Sequence, residues 1–233
     1  MIMLQKLKHF SENYSHFEWL AKKLDAEYES IGRPISVLDL GAGSASYWHK
    51  GKLGSLIHEG KVHLTVLDAN PELLNSRTNK NIAYLTGLIP GVLSDFEENQ
   101  FDWICAFDLI EHLTKEDGYH LLYEIDNIAR IGSIIFTPNG FVWQPGSKNN
   151  PFNAHISGWT PKELRKLSWD IQRGSVGPKC FFGPYGLRGY QGRSRIISGM
   201  ILLSWFTVYR VPTLAFSFYA VKLSKNARIE NQN

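Results

Sequence analysis

Residues 37–43, which read Val-Leu-Asp-Leu-Gly-Ala-Gly, constrain the fold more than any other part of the sequence. The apolar first half predicts a buried strand, and the two glycines predict a tight turn directly after it. A helix is predicted next, over 47–58. A strand, a glycine turn and a helix in this order let backbone amides approach a polar ligand closely. The segment therefore predicts a nucleotide-like ligand at the end of this strand.

The surrounding sequence alternates short apolar runs with longer amphipathic ones. We predict strands over 35–40, 62–68, 82–85, 101–107 and 133–137. We predict helices over 11–30, 47–58, 71–78 and 116–130, with Pro71 in a first helical turn. Because strands and helices alternate, the sheet is expected to be mainly parallel. Later elements are a helix over 160–167, a strand over 170–176, a helix over 194–206 and a strand over 214–223.

Composition limits the class of protein. The 233 residues are 43% hydrophobic and 20% charged, which is typical of one globular domain. A net charge of +3 does not favour nucleic acid as a partner. The two cysteines, Cys105 and Cys180, form no CxxC pair, so neither a disulfide framework nor a metal site is expected. Residues 1–10 lack the pattern of a signal peptide, which favours a cytoplasmic location.

Two ligand classes use such a glycine turn. A dinucleotide-binding turn favours Gly or Ala at its sixth position, where this chain has Ser46. Asp39-x-Gly41-x-Gly43 instead resembles the first motif of class I S-adenosylmethionine-dependent methyltransferases. Asp68 ends the second predicted strand and resembles the second motif, because a carboxylate there can accept both ribose hydroxyls. Further matches follow in the family's order, namely Gly87-Leu88, the residues Phe-Asp-Trp-Ile at 101–104, and Asp-Leu-Ile-Glu-His-Leu at 108–113.

This resemblance implies a fold, a cofactor and a set of contacts. The expected fold is a Rossmann-like, doubly wound α/β domain with a seven-stranded, mainly parallel sheet and an antiparallel last strand. The expected cofactor is S-adenosylmethionine. The domain would comprise an N-terminal helical segment (1–34), a cofactor-binding half (35–137), an acceptor side (138–223) and a tail (224–233). The cofactor-binding residues implied are Asp39, Gly41, Gly43, Asp68, Ala69, Leu88 and Asp108.

Each of these acidic residues also has a structural interpretation. Asp39, Asp68 and Asp108 could cap the turn or helix that follows them. Glu111 and His112 are interpreted as structural residues in the first turn of a helix.

The acceptor is expected beside the loop that follows the fifth strand. Residues 137–141 and 150–160 together resemble a bacterial methyltransferase subgroup linked to surface-polysaccharide biosynthesis. We therefore expect O-methylation of a small acceptor, such as a sugar or glycoconjugate precursor. His155 is the candidate general base, and its alternative role is a hydrogen-bonded strut of the loop. An aromatic platform for the acceptor is another hypothesis, with candidate residues Phe141, Trp143, Trp159 and Tyr185.

Other functions stay open at this point. An amino-methylating DNA enzyme would carry a proline-rich motif where this chain has Phe-Asp-Leu-Ile at 107–110, so nucleic acid is not expected. A catalytically silent cofactor-binding or regulatory module would share the fold. A methyltransferase with a lipid-linked or macromolecular acceptor is a further alternative. Residues 196–209 are apolar but too short to span a bilayer, and they are candidates for peripheral contact with the inner face of the membrane.

Overall fold

The structure is a computed structural model, and it describes residues 16–71, 81–146, 150–178, 211–224 and 227. The described strands are β1 Ile35–Leu40, β2 Val62–Asp68, β3 Ile82–Thr86, β4 Phe101–Phe107, β5 Ala129–Pro138, β6 Asp170–Pro178 and β7 Ala215–Leu223. The described α-helices are α1 His16–Ile31, α2 Gly51–His58, α3 Lys115–Ile128 and α4 Pro161–Lys166.

The described strands form one seven-stranded sheet in the order β3-β2-β1-β4-β5-β7-β6. The pairs from β3 to β5 are parallel, whereas β7 runs antiparallel to both of its neighbours. The α/β fold and the antiparallel last strand expected from the sequence are therefore confirmed. Strand β1 pairs with β2 on one side and with β4 on the other. The winding of the chain reverses there, and a ligand crevice is expected outside the carboxyl ends of these strands.

Two apolar layers cover the two faces of the sheet. One layer packs α1 and α2 on the sheet through residues such as Leu24, Leu56 and Trp103. The other packs α3 and α4 through residues such as Leu121 and Leu164. Central strand residues are buried on both faces, as expected for parallel strands. The packed sheet supports the loops that follow the carboxyl ends of its parallel strands.

The largest departures from the predicted boundaries lie around α2 and β5. The predicted helix over 47–58 is interrupted: a 3-10 turn, Ser46–His49, ends at an extended Lys50 before α2 begins. Gly51 has a φ of 55°, outside the right-handed helical region. Strand β5 starts at Ala129 rather than at residue 133, since Ala129 pairs with Phe101 across the sheet. Cross-strand pairing therefore extends the strand beyond its most apolar part.

Several predicted segments lie outside the described residues. These are most of the helix over 71–78, all of the helix over 194–206, and the candidate membrane contact over 196–209. Among the described residues, none of the helices is both long enough and apolar enough to cross a bilayer.

Asp102 is a buried structural residue near the amino ends of the parallel strands, on the side of the sheet opposite the expected ligand crevice. Its carboxylate is fully buried and accepts two hydrogen bonds from Arg33 and one from Arg130, at 2.7–2.8 Å. The Ser36 backbone amide donates a further bond at 2.9 Å. Burial alone would raise the pKa of Asp102, but the bonds from Arg33 and Ser36 outweigh it and lower that pKa. Asp102 thus joins β1, β4 and β5 where β4 begins, away from the ligand crevice.

Candidate active site

Gly41 and Gly43, the two glycines after β1, are favoured at their positions for different physical reasons. Gly41 and Gly43 have φ values of 65° and 54°, a region that favours glycine. A Cβ atom on Gly41 would lie 2.7 Å from Leu109 Cδ1, so the turn packs closely on the loop after β4. A Cβ atom on Gly43 would meet no atom of the described residues within 4 Å. The Gly43 backbone therefore borders open space where a ligand can approach it.

Asp68 lies directly against this turn. One carboxylate oxygen accepts the Gly43 amide at 2.7 Å, and the other accepts the Asn70 amide at 2.9 Å. The side chain is half-buried, as is that of the neighbouring Ala69. Since a carboxylate has about four acceptor positions, Asp68 can accept further donors while it holds the turn. The structure thus brings together three of the residues that the sequence assigns to the cofactor, Gly43, Asp68 and Ala69.

Asp39 is oriented into the protein. Its carboxylate is fully buried, and one oxygen accepts hydrogen bonds from the Tyr47 hydroxyl and from the Trp48 indole, the latter at 2.6 Å. Burial raises the pKa of Asp39 to about 7, although the bonds from Tyr47 and Trp48 oppose that shift. Asp39 therefore organises the segment that follows the glycine turn.

Leu88 and Asp108 flank the crevice. Leu88 is 63% exposed and follows Gly87, whose amide donates to the Asp68 carbonyl at 3.2 Å. Asp108 follows β4 with a φ of 48°, and its amide donates to the Phe136 carbonyl at 2.9 Å. The residue as a whole is exposed, but burial of its carboxyl group raises its pKa to about 6, and a hydrogen bond with Glu111 opposes that shift.

The two ends of the loop after β5 are in contact with each other. The Gly140 amide donates to the Trp159 carbonyl at 2.6 Å. Gly158 is in close contact there, because an added Cβ would lie 2.2 Å from the Phe141 nitrogen. The Trp159 indole is fully buried and donates to the Ile110 carbonyl at 3.2 Å. The end of this loop at Trp159 is therefore attached to the turn that follows β4.

His112 and His155 meet where these two segments join. Their ring centroids are 4.8 Å apart. Nδ1 of His112 is 2.9 Å from the Ala154 carbonyl oxygen, and Nδ1 of His155 is 2.7 Å from that of Val142. Burial lowers the pKa of His155, and the hydrogen bond to Val142 opposes that effect. His155 is thus fixed in the loop, as the strut interpretation requires, and the lowered pKa favours its neutral form, in which the lone pair is on Nε2.

Glu111 lies beside the two histidines. Its side chain is 1% exposed, and one carboxylate oxygen accepts a hydrogen bond from the Thr137 hydroxyl at 2.9 Å. Its backbone carbonyl accepts the amides of Ile156 and Ser157 at 2.9 and 3.0 Å. Burial, and then the negative charge of Asp108, raise the pKa of Glu111. Sequence reasoning gave Glu111 and His112 structural roles, and the structure shows that they also adjoin His155.

The aromatic platform needs a correction. Trp159 is 0% exposed and covered by Lys115, whose ammonium lies 3.7 Å from the ring centroid, so it cannot contact an acceptor. Phe141 and Trp143 are 55% and 66% exposed and can do so. Tyr185 lies outside the described residues. The positions of these aromatic residues in the sequence did not predict which ring would be buried in the core.

Comparisons with known proteins bear on the fold. No family model matches the sequence, and no curated protein matches it significantly. The chain is similar to the crystal structure of an S-adenosylmethionine-dependent methyltransferase from Archaeoglobus fulgidus, with 12% identity, a TM-score of 0.52, and 94% and 99% of the two chains covered. The chain has the methyltransferase fold.

Two further solved structures are similar to this chain. A candidate sarcosine dimethylglycine methyltransferase from Galdieria sulphuraria is 16% identical, with a TM-score of 0.50 and coverage of 89% of this chain and 85% of its own. WbdD, crystallised with a kinase inhibitor, is 22% identical over 55% of this chain, with a TM-score of 0.45. The matched part spans 30% of the WbdD chain.

Proposed function

We propose that this protein is an S-adenosylmethionine-dependent methyltransferase that methylates a hydroxyl group of a small acceptor, such as a sugar or glycoconjugate precursor. The observation that carries the proposal is the juxtaposition of two polar sites at one edge of the sheet. Gly43 and Asp68 form one site, and His155 belongs to the other. They are linked because Gly41 packs directly on Leu109, within the loop that leads to the histidines.

The residues of the first site suit S-adenosylmethionine. The open backbone at Gly43 admits the polar methionine end, and Asp68 retains acceptor positions for the ribose hydroxyls. Ala69, Leu88 and Asp108 would complete the contacts. When bound, the cofactor supplies an electrophilic methyl group. The protein must then align a nucleophile and provide for its proton.

The second site suits a hydroxyl acceptor. Neutral His155 has its lone pair on Nε2, since Nδ1 donates to a carbonyl that can only accept. In this proposal His155 assists the removal of the hydroxyl proton. Phe141 and Trp143 are exposed on the same loop, where their ring faces can pack against the C–H face of a sugar.

The first test is His155→Gln, with His120→Gln as the matched control. His120 is exposed on α3 and pairs with Glu124 of the same helix. Incorporation of labelled methyl groups into a panel of nucleotide sugars and oligosaccharides would be measured, together with cofactor affinity. We expect turnover to fall by roughly a hundredfold or more in His155→Gln alone, with cofactor affinity retained. Near-normal turnover would reduce His155 to a strut.

A lipid-linked acceptor is the second candidate, because the acceptor loop exposes several apolar side chains. The apolar side chains in this loop that are at least 50% exposed are Phe141, Trp143, Phe152 and Ile156. Such a cluster is typical of contact with an apolar partner. Methyl incorporation into lipid-linked sugars in detergent, with none into water-soluble sugars, would favour this candidate. Cofactor binding without turnover on either group would favour the catalytically silent module.

A further inference from the structure

Both histidines of the site have the same hydrogen-bonding arrangement. A backbone carbonyl can only accept, so the Nδ1 atoms facing Ala154 and Val142 carry the protons. In the neutral form of each ring, the lone pair is then on Nε2, the atom that is left for a further ligand. Histidine ligands of metal ions typically donate their other ring N–H to such a carbonyl, which fixes the ring and its tautomer.

Glu111 adds a buried carboxylate oxygen. This second oxygen, Oε1, is inaccessible to solvent and accepts no N–H or hydroxyl hydrogen bond from the described residues, and its polar neighbour is a second carboxyl group, that of Asp108. A buried acceptor without a donor is costly, so its presence calls for an explanation. Within the described part of the chain, the ion pairs of lysine and arginine involve other carboxylates and do not include Glu111 or Asp108.

One candidate ligand atom from each of Glu111, His112 and His155 lies within 4.8 Å of the other two. We propose that these three residues bind a divalent transition-metal ion such as Zn²⁺. Ligand atoms on one ion with bonds of about 2.0–2.2 Å must lie within about 4.4 Å of each other, so small side-chain rotations complete the site. Two imidazoles and one carboxylate favour Zn²⁺ or a similar ion over Mg²⁺ or Ca²⁺.

The site leaves room for a further ligand from the crevice. His112 and His155 are only half-buried, and the carboxyl group of Asp108 adjoins Glu111. Three protein ligands with an open position are typical of a catalytic ion. This role rests on the proposed function and changes the part of His155 in it: the ion would lower the pKa of an acceptor hydroxyl bound to it, and His155, as a ligand, would promote deprotonation through the ion instead of taking the proton itself. The methyl group then passes to oxygen as the carbon–sulfur bond breaks, and the hydroxyl proton passes to water.

Metal binding can be measured without any methyl transfer. The full-length protein, freed of metal with a chelator, would be titrated with ZnCl₂ by calorimetry, and with CoCl₂ while the visible absorption is recorded. We expect one ion per chain at micromolar or lower dissociation constant and a Co²⁺ spectrum of a nitrogen- and oxygen-ligated ion. His112→Gln, His155→Gln and Glu111→Gln should each weaken binding by roughly a hundredfold, while His120→Gln should not change it. Circular dichroism and thermal unfolding confirm that each variant folds.

The outcomes separate the metal site from the proposed function. Absence of stoichiometric Zn²⁺ and Co²⁺ binding, or equal binding by all variants, would overturn the metal site, and tighter binding of MgCl₂ would overturn the transition-metal assignment. If Glu111→Gln does not fold, the two histidine variants decide the result. Cofactor affinity is measured in parallel, so metal binding without cofactor binding would support the site and contradict the methyltransferase function.

Discussion

Replacement of Asp68 by alanine is the perturbation whose effect follows most directly from the structure. The carboxylate fixes the Gly43 and Asn70 amides at 2.7 and 2.9 Å, and its remaining acceptor positions are available to the cofactor. A hydrogen bond to a charged group contributes about 1.5–3 kcal/mol. The side chain is half-buried and partly screened by water, so we expect a loss of about 2–3 kcal/mol in cofactor binding, or roughly 30- to 150-fold in affinity.

Calorimetric titration with S-adenosylmethionine and with its demethylated product measures this loss for Asp68→Ala. Both ligands should lose affinity equally, because Asp68 is proposed to contact the ribose, which they share. Glu98→Ala is the control, since Glu98 is exposed and precedes β4, at the opposite edge of the sheet. Unchanged affinity in a folded Asp68→Ala protein would refute the reasoning and remove Asp68 from the cofactor site.

Two further predictions concern stability and the acceptor loop. Asp102→Asn should lower the free energy of unfolding by about 2–4 kcal/mol at pH 7, because Arg33 and Arg130 lose a buried partner but remain partly exposed. Since folding lowers the pKa of Asp102 below 3.8, this stabilisation is present above that pH and lost below it, so denaturant titrations of both proteins should converge as the pH falls through that range. Gly158→Ala should force Phe141 away and lower stability by about 1–3 kcal/mol, with turnover reduced and cofactor affinity retained. An unchanged melting temperature and turnover would show that the loop tolerates the added methyl group.

The cofactor half of the fold could be predicted because its signals are local. Strand β1, its glycine turn and Asp68 at the end of β2 occupy short, continuous segments with clear apolar periodicity. Parallel pairing then places the ends of β1 and β2 side by side. The contact between Gly43 and Asp68 follows from these two facts, although they are 25 residues apart.

The acceptor side could be predicted only in part, because its contacts join distant segments. His112 and Ala154 are 42 residues apart and meet only after the loop folds back on the turn beyond β4. No local periodicity indicates such a contact. The burial of Trp159 is likewise decided by Gly118 on α3, where an added Cβ would lie 2.4 Å from the ring. From the sequence we could therefore predict His155, but we assigned Glu111 and His112 only a structural role.

The central claim is that the crevice beside Gly43 and Asp68 binds S-adenosylmethionine. Calorimetric titration of the purified chain with S-adenosylmethionine, its demethylated product and NAD tests this claim most directly. We expect micromolar binding of the first two and none of NAD. Binding of NAD alone, or of none of the three ligands, would contradict it.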